Sequence, residues 1–357
     1  MTAAGREPMP ADATVGSIGE RALLRRLRAR IPAADGVLLG IGDDAAVLAT
    51  GAATLMTTDA LVEGVHFRRE WSSARRVGRK ALSVNLSDVG AMAGRARFAT
   101  VSLCLPAALP VSWIDALYDG LLERAAETGT ALVGGNVSGI DGPLVIDVAL
   151  LGESSRPLRR AGARPGDAIV VTGRLGLAEA GLALLAAGWR LGDDDGVGGY
   201  EPAAADVAAL RACLRAQLDP APPLAFAAAL ATAPGIHAGM DLSDGLSGDL
   251  AALCGESGVS ALVRSSRLPL GPALERQGGG DPLLHALHGG EDYELLLAVD
   301  PAHVSGLEEL GRVHGVGVVA VGALAEGPPS VWLDAAEGRV PLPPHAHQHF
   351  APPEGER

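Results

Sequence analysis

Residues 77–94, VGRKALSVNLSDVGAMAG, decide how this chain is read. At 100° per residue Val77, Ala81, Val84, Asp88 and Met92 fall along one helical stripe, which puts a carboxylate in the middle of an apolar face. An ionised carboxylate is costly to bury unless a partner charge or a bound cation compensates it. Taken alone, the helix leaves a structural ion pair and a cation ligand equally open.

Other carboxylates narrow the choice. Asp43 and Asp44 follow the apolar run VLLGIG, Asp59 is expected to end the strand ATLMTT, and Asp241 and Asp244 sit in MDLSDG just ahead of Leu246, Leu250 and Leu253. Each is expected where a strand ends or a helix begins, the place where α/β folds bind ligands. Clustered carboxylate oxygens suit magnesium shared with phosphates better than zinc or copper. Thr57, Thr58 and Asn136, in TTD and GGN, are candidate neutral oxygen donors, although such residues also serve as caps and turns.

The phosphate-binding motifs of common nucleotide enzymes are missing. GIGDDA (residues 40–45) fits the dinucleotide fingerprint G-x-G-x-x-A, but two carboxylates would then face a pyrophosphate, and AAVLAT reads as a strand where that motif needs a helix. No G-K-[ST] occurs, and Lys80 is the only lysine among 29 basic residues. A P-loop and the protein-kinase lysine set are thereby excluded. A nucleotide handled here needs magnesium and arginine to neutralise its phosphates, with Arg159 and Arg160 beside the turn AGARPGD as candidates. GGEDYELL places Glu291 and Asp292 between a double glycine and a strand, and His66 follows Asp59 on a loop. The acidic stretch GDDDGVGGYE lacks the ligand spacing of a calcium loop and is expected to be a solvated surface loop.

A chain of 357 residues suggests two domains, and 48% hydrophobic with 20% charged residues supports folded cores. Its 48 glycines and 24 prolines imply many turns. The net charge of −13 argues against nucleic-acid or anionic-membrane binding. Cys104, Cys213 and Cys254 lack metal or disulfide spacing and read as reduced core residues. With no apolar run long enough for a membrane span and no apolar leader, a cytoplasmic location is expected.

Along the chain, a helix is expected over residues 18–31 and another over WIDALYDGLLERAAETG, with strands at TVSLCLP and PLVIDVALLGE. SSRPLRRAGARPGD reads as a linker, after which DAIVVTG opens a second strand and helix series. The expected division is residues 1–155 and 156–357.

In order, GIGDDAAVL, TTDALVEGVHF, KALSVNLSDVGAMAG, GGNVSG, GARPGD, MDLSDGLSGDL and GGEDYELL resemble the thiamine-monophosphate kinase family over nearly the whole chain. The Asp-rich turns alone also resemble the wider superfamily of aminoimidazole ribotide synthetase and selenophosphate synthetase. The resemblance implies an α/β fold of α+β type in two domains, with the N-terminal sheet pairing across a homodimer and ATP between the halves. The first domain would bind ATP and magnesium and dimerise, and the second would complete the site. It also implies several Mg2+ ions held by Asp44, Thr57, Thr58, Asp59, Asp88, Asn136, Asp241 and Asp244. ATP would meet Gly135, Asn136, Arg160 and Ser243, and thiamine monophosphate would meet His66, Glu291 and His347. Asp59, Asp88 and Asp241 would assist the reaction through metal, with no general base.

Two departures stand out. The family usually carries His-Leu-x-Pro-x-Pro-Arg before MDLSDG, whereas this chain reads AQLDPAPPL, with Gln217 for His and Pro223 for Arg. Near the C-terminus His347 stands where an aromatic residue is usual. Another ATP-dependent activity of the superfamily, or a non-catalytic nucleotide-binding scaffold, are the alternative readings.

Overall fold

The computed structural model describes residues 54–200, 203, 205–271, 273–274, 280–336 and 338–345, with scattered positions between 10 and 48. Asp43, Asp44, the GIGDDA turn, His347 and most of the expected helix 18–31 lie outside the described residues. Fifteen strands are described: β1 (Val37–Leu39), β2 (Val47–Leu48), β3 (Thr54–Val62), β4 (Arg95–Leu105), β5 (Ala131–Gly139), β6 (Val145–Glu153), β7 (Ala168–Thr172), β8 (Arg190–Leu191), β9 (Val197–Gly198), β10 (Ile236–Leu242), β11 (Ser260–Arg264), β12 (Glu294–Val299), β13 (Val318–Ala325), β14 (Ser330–Ala335) and β15 (Gly338–Pro341). The helices that matter here are α1 (Ala74–Ala91), α2 (Val111–Thr128), α3 (Leu177–Ala186), α4 (Val207–Leu218), α5 (Leu224–Ala229), α6 (Leu246–Ser257), α7 (Pro282–His288) and α8 (Val304–Val313).

The chain forms two compact units. The first comprises Met1–Pro157, Gly188–Glu201 and Leu218–Thr232; the second comprises Leu158–Ala187, Pro202–Gln217 and Ala233–Arg357. Two stretches of the later sequence therefore return to the first unit.

In the first unit, β3-β6-β4-β5 form a sheet in which only β4 and β5 run parallel. The alternation of VIDVALLGE builds its two sides, with Ile146, Val148 and Leu150 fully buried and Val145, Asp147, Ala149 and Leu151 half-exposed. Helix α1 begins where the Ser73 side chain accepts the Arg76 N–H. Its expected apolar stripe is buried at Val77, Ala81 and Val84, and α1 is enclosed on most other sides as well. A Cβ at Gly78 would stand 2.0 Å from the Leu117 carbonyl of α2, and one at Gly90 would stand 3.1 Å from Leu224 of α5. Asp88, Arg75 and Arg79 are the α1 residues that keep solvent access.

Two expectations change. Strand β3 does not end at Asp59 but continues to Val62, because Leu61 is buried in register with Ile146. The acidic stretch is not a purely solvated loop. It forms the β8–β9 hairpin, and Asp193 accepts the Ser73 hydroxyl at 2.6 Å while buried Arg76 donates to Asp195 at 2.8 Å and to the Gly192 carbonyl at 2.7 Å.

The second unit is built on a seven-stranded sheet, β10-β12-β7-β13-β11-β14-β15, antiparallel except between β11 and β14. Leu246, Leu250 and Leu253 of α6 join Val171, Met240 and Leu296 in its core. Both units mix helices with largely antiparallel sheets, the α+β architecture expected. Cys213 and Cys254 are buried, their thiols pushed up to about 11 by loss of water. Among the described residues no helix is long and apolar enough to cross a membrane.

Candidate active site

In the first unit the pleat sorts the candidate donors. Thr57 and Asp59 of β3 pair in register with Leu150 and Val148, so they share the helix-facing side of the sheet. Thr57 donates its hydroxyl to Asp88 at 2.5 Å, joining the strand to the last turns of α1. Gly135 lies in the same row, through Val101 and Val148. A Cβ there would come within 2.0 Å of the Val101 carbonyl, so the position accepts only glycine.

Thr58 and Asn136 fall on the other side. Thr58 donates to Asp147 at 3.1 Å, and Asn136 shares a register row with Ser102 and Asp147 and bonds Ser138. Thr57, Asp59, Asp88 and Gly135 are thus brought to one side, and Thr58 and Asn136 to the opposite one.

His66 sits on the turn after β3. Its Nδ1 accepts the Val62 N–H at 3.0 Å, so a neutral ring carries its proton on Nε2. The Nζ of buried Lys80 lies 3.5 Å from the His66 carbonyl.

The second unit concentrates acid at one end of its sheet. Asp241, 3% exposed, is the penultimate residue of β10, and Ser243 and Asp244 form the turn into α6. Asp249, in the first turn of α6, accepts the Asp244 N–H at 3.1 Å. Burial, with the charges of Asp241 and Asp244, pushes the Asp249 carboxyl up to about 8 against the opposing pull of Arg160. Arg160 itself is exposed, while its carbonyl accepts the Ser257 hydroxyl and the Arg159 carbonyl accepts the Gly239 N–H.

GGEDYELL interlocks with that turn. The Glu291 and Tyr293 N–H groups bond the carbonyls of Ser243 and Leu242, and a Cβ at Gly290 would meet the Ser243 carbonyl at 2.8 Å. Glu291 and Tyr293 both adopt positive φ, +66° and +50°, a left-handed conformation that side chains disfavour and that gathers at functional turns. Gln217 of α4 donates its amide to the Glu291 carboxylate.

Sequence reasoning missed the duties of three acids here, buried Asp249 and half-buried Asp292 and Glu294. Asp292 accepts the Gly176 N–H at 2.7 Å and the Ala178 N–H at 3.5 Å, capping α3. Glu294 accepts the Thr172 hydroxyl at 2.5 Å. Burial pushes Asp292 to about 8 and Glu294 to about 7. The signal for Asp249 was present in MDLSDGLSGDL, five residues after Asp244; Asp292 and Glu294 lie in GGEDYELL, but nothing local marks their backbone partners.

Comparison with known proteins identifies relatives of the chain. The model for the N-terminal domain of AIR synthase related proteins matches residues 42–154, and that for the C-terminal domain matches residues 164–333. The thiamine-monophosphate kinase of Rhodopirellula baltica is 33% identical over 332 residues, 90% of this chain and 93% of that protein. That of Mycobacterium tuberculosis is 36% identical, covering 91% of this chain and 90% of the relative.

The chain belongs to the thiamine-monophosphate kinase family.

Solved members share the fold. The crystal structure of thiamine-monophosphate kinase from Stenotrophomonas maltophilia K279a superposes with a TM-score of 0.76 at 36% identity, over 87% of this chain and 95% of that one. AaThiL complexed with AMPPCP and TMP gives 0.70 at 34% identity, over 83% of this chain and 87% of that one. At 18% identity, the hydrogenase maturation protein HypE shares the fold alone, with a TM-score of 0.67.

Proposed function

We propose that this protein transfers the γ-phosphoryl group of ATP to the phosphate of thiamine monophosphate, giving thiamine diphosphate and ADP. The observation that carries the reading is the turn 241–245 locked to the turn 289–293, which assembles Asp241, Asp244, Asp249 and Glu291 on one rigid end of a sheet. The relative solved with an ATP analogue and TMP supports the same pair of ligands for this chain.

The acceptor already provides an oxyanion, because a phosphate monoester has a second pKa of about 6. No side chain is required as a strong base. The obstacle is repulsion between two anions, and the chain meets it with oxygen donors and arginine rather than lysine.

The donors fit magnesium. Among the described residues no three His, Cys, Asp or Glu side chains form a complete metal cage, and magnesium takes few protein ligands while keeping waters and sharing phosphate oxygens. Asp59 with the Thr57–Asp88 pair in the first unit, and Asp241 with Asp244 in the second, would hold it. Thr58 and Asn136, on the opposite side of the sheet, are weaker candidates. When bound, the metal supplies charge neutralisation and alignment for in-line displacement.

Gly135, Arg160 and Ser243 would meet ATP, and His66, through its Nε2–H, and Glu291 would meet the substrate's phosphate and its cationic rings. Asp44 and His347 keep the metal and substrate roles that the resemblance implies. The exposure of Met56 on the first sheet, 76%, supports pairing into a homodimer. A cytoplasmic location accords with a substrate and co-substrate of that compartment.

The test is product analysis of purified protein with ATP and magnesium, with and without thiamine monophosphate. Thiamine diphosphate formed only when metal and monophosphate are both present is the expected result; nucleotide binding without that product overturns the assignment.

A further inference from the structure

The carboxylate of Glu291 is held by more than its own turn. Its N–H bonds the Ser243 carbonyl at 2.8 Å, and its left-handed backbone aims the side chain toward α4, where the Gln217 amide donates to it. Gln217 is 5% exposed in the last turn of that helix, so its amide is largely shielded from competing water.

Helix packing sets where Gln217 stands. A Cβ at Gly181 of α3 would lie 2.1 Å from the Cys213 carbonyl and 2.9 Å from the Gln217 Cβ, so α3 and α4 are in backbone contact at this glycine. Helix α3 is in turn anchored by Asp292, the residue after Glu291, through the Gly176 and Ala178 N–H groups. A closed circuit results: Glu291 to Gln217, α4 to α3, and α3 back to Asp292. Displacing any member moves the carboxylate.

We infer that Gln217 is a positioning residue for the Glu291 carboxylate, fixing it with an uncharged donor so that it is oriented, and not neutralised, for a cationic group of the substrate. An arginine or imidazolium at 217 would orient Glu291 equally well but would compete with the substrate's own cation. A neutral amide avoids that competition. The inference rests on the reading of Glu291 as a substrate contact.

The experiment compares the full-length protein with Gln217→Met and Gln217→His, measuring KM for thiamine monophosphate, KM for ATP and kcat from pH 6 to 8.5, with thermal melting to confirm folding. Loss of a hydrogen bond to a charged group should raise KM for thiamine monophosphate roughly tenfold in Q217M. KM for ATP should stay within about twofold, as expected for a loss confined to substrate binding. Relative to wild type at each pH, which cancels the substrate's own second phosphate pKa of about 6, Q217H should approach parity above about pH 7.5 and fall further behind below about pH 6.5, as its imidazole gains charge.

Unchanged KM for thiamine monophosphate in folded Q217M, or equal losses for both substrates, overturns the inference. So does a Q217H profile parallel to wild type. A wild type that neither binds nor turns over thiamine monophosphate removes the functional reading, and the inference with it. A wild type that does both beside an unaffected Q217M removes the inference alone.

Discussion

The two units bury charge in opposite ways. In the first, buried acids and bases are matched: Arg79 and Arg124 share Asp219, Arg26 and Arg30 share Asp115, and Arg76 takes Asp195. In the second, buried Asp249 and half-buried Asp292 and Glu294 rely on backbone N–H or hydroxyl donors, and desolvation raises all three. Carboxylates matched by arginine hold the fold. Those left to neutral donors stand ready for a cation or retain a proton.

The strongest way to break this comparison is Asp219→Ala. Asp219 is 7% exposed and serves two arginines, so its loss removes the buried acid they share and leaves them the exposed Glu127, at a cost of about 3 kcal/mol. Urea unfolding should show that loss, while activity per folded molecule stays near wild type. A stability change under about 1 kcal/mol would make the pair ordinary surface decoration.

Next comes Asp241→Asn, which should do the reverse. Turnover is expected to fall roughly a hundredfold or more, as for loss of a preorganised charge at a reacting phosphate, with unfolding free energy little changed. Full activity in this variant would take Asp241 out of the site.

The smallest effect concerns pH. Glu294 and Asp292, raised to about 7 and about 8 by burial, keep protons that the unfolded chain has already released above about pH 4. The folded state therefore binds more protons across that window, and stability should decline as pH rises from 5 to 8. Glu294→Gln keeps an acceptor for Thr172 and removes the proton, so its decline should be shallower. Equal slopes in the two proteins would place Glu294 outside the titrating set.

How much of this was legible in the sequence depends on the range of the contact. The helix 111–128 and strand 145–153 are local patterns, and both form as their periodicity predicts. The end of β3 was misjudged because Asp59 looks like a terminator, whereas Leu61 finds Ile146 on a strand 85 positions later. The motif residues Asp88, Asp241 and Glu291 were visible as types and spacings. Which side of a sheet Thr58 occupies, or that Asp292 caps a helix beginning at Leu177, depends on register and tertiary packing that no window of sequence contains.

The return of the hairpin and of the segment Leu218–Thr232 to the first unit has a consequence for biosynthesis. A ribosome that has released residue 157 has not yet made Asp195, which Arg76 needs, or Asp219, which Arg79 and Arg124 need. The amino-terminal unit is complete only after residue 232 has emerged, by which point the other unit is already under way. The two must mature together during translation, and a fragment cut at the domain linker would leave Arg76 without Asp195, and Arg79 and Arg124 without Asp219 and reliant on Glu127.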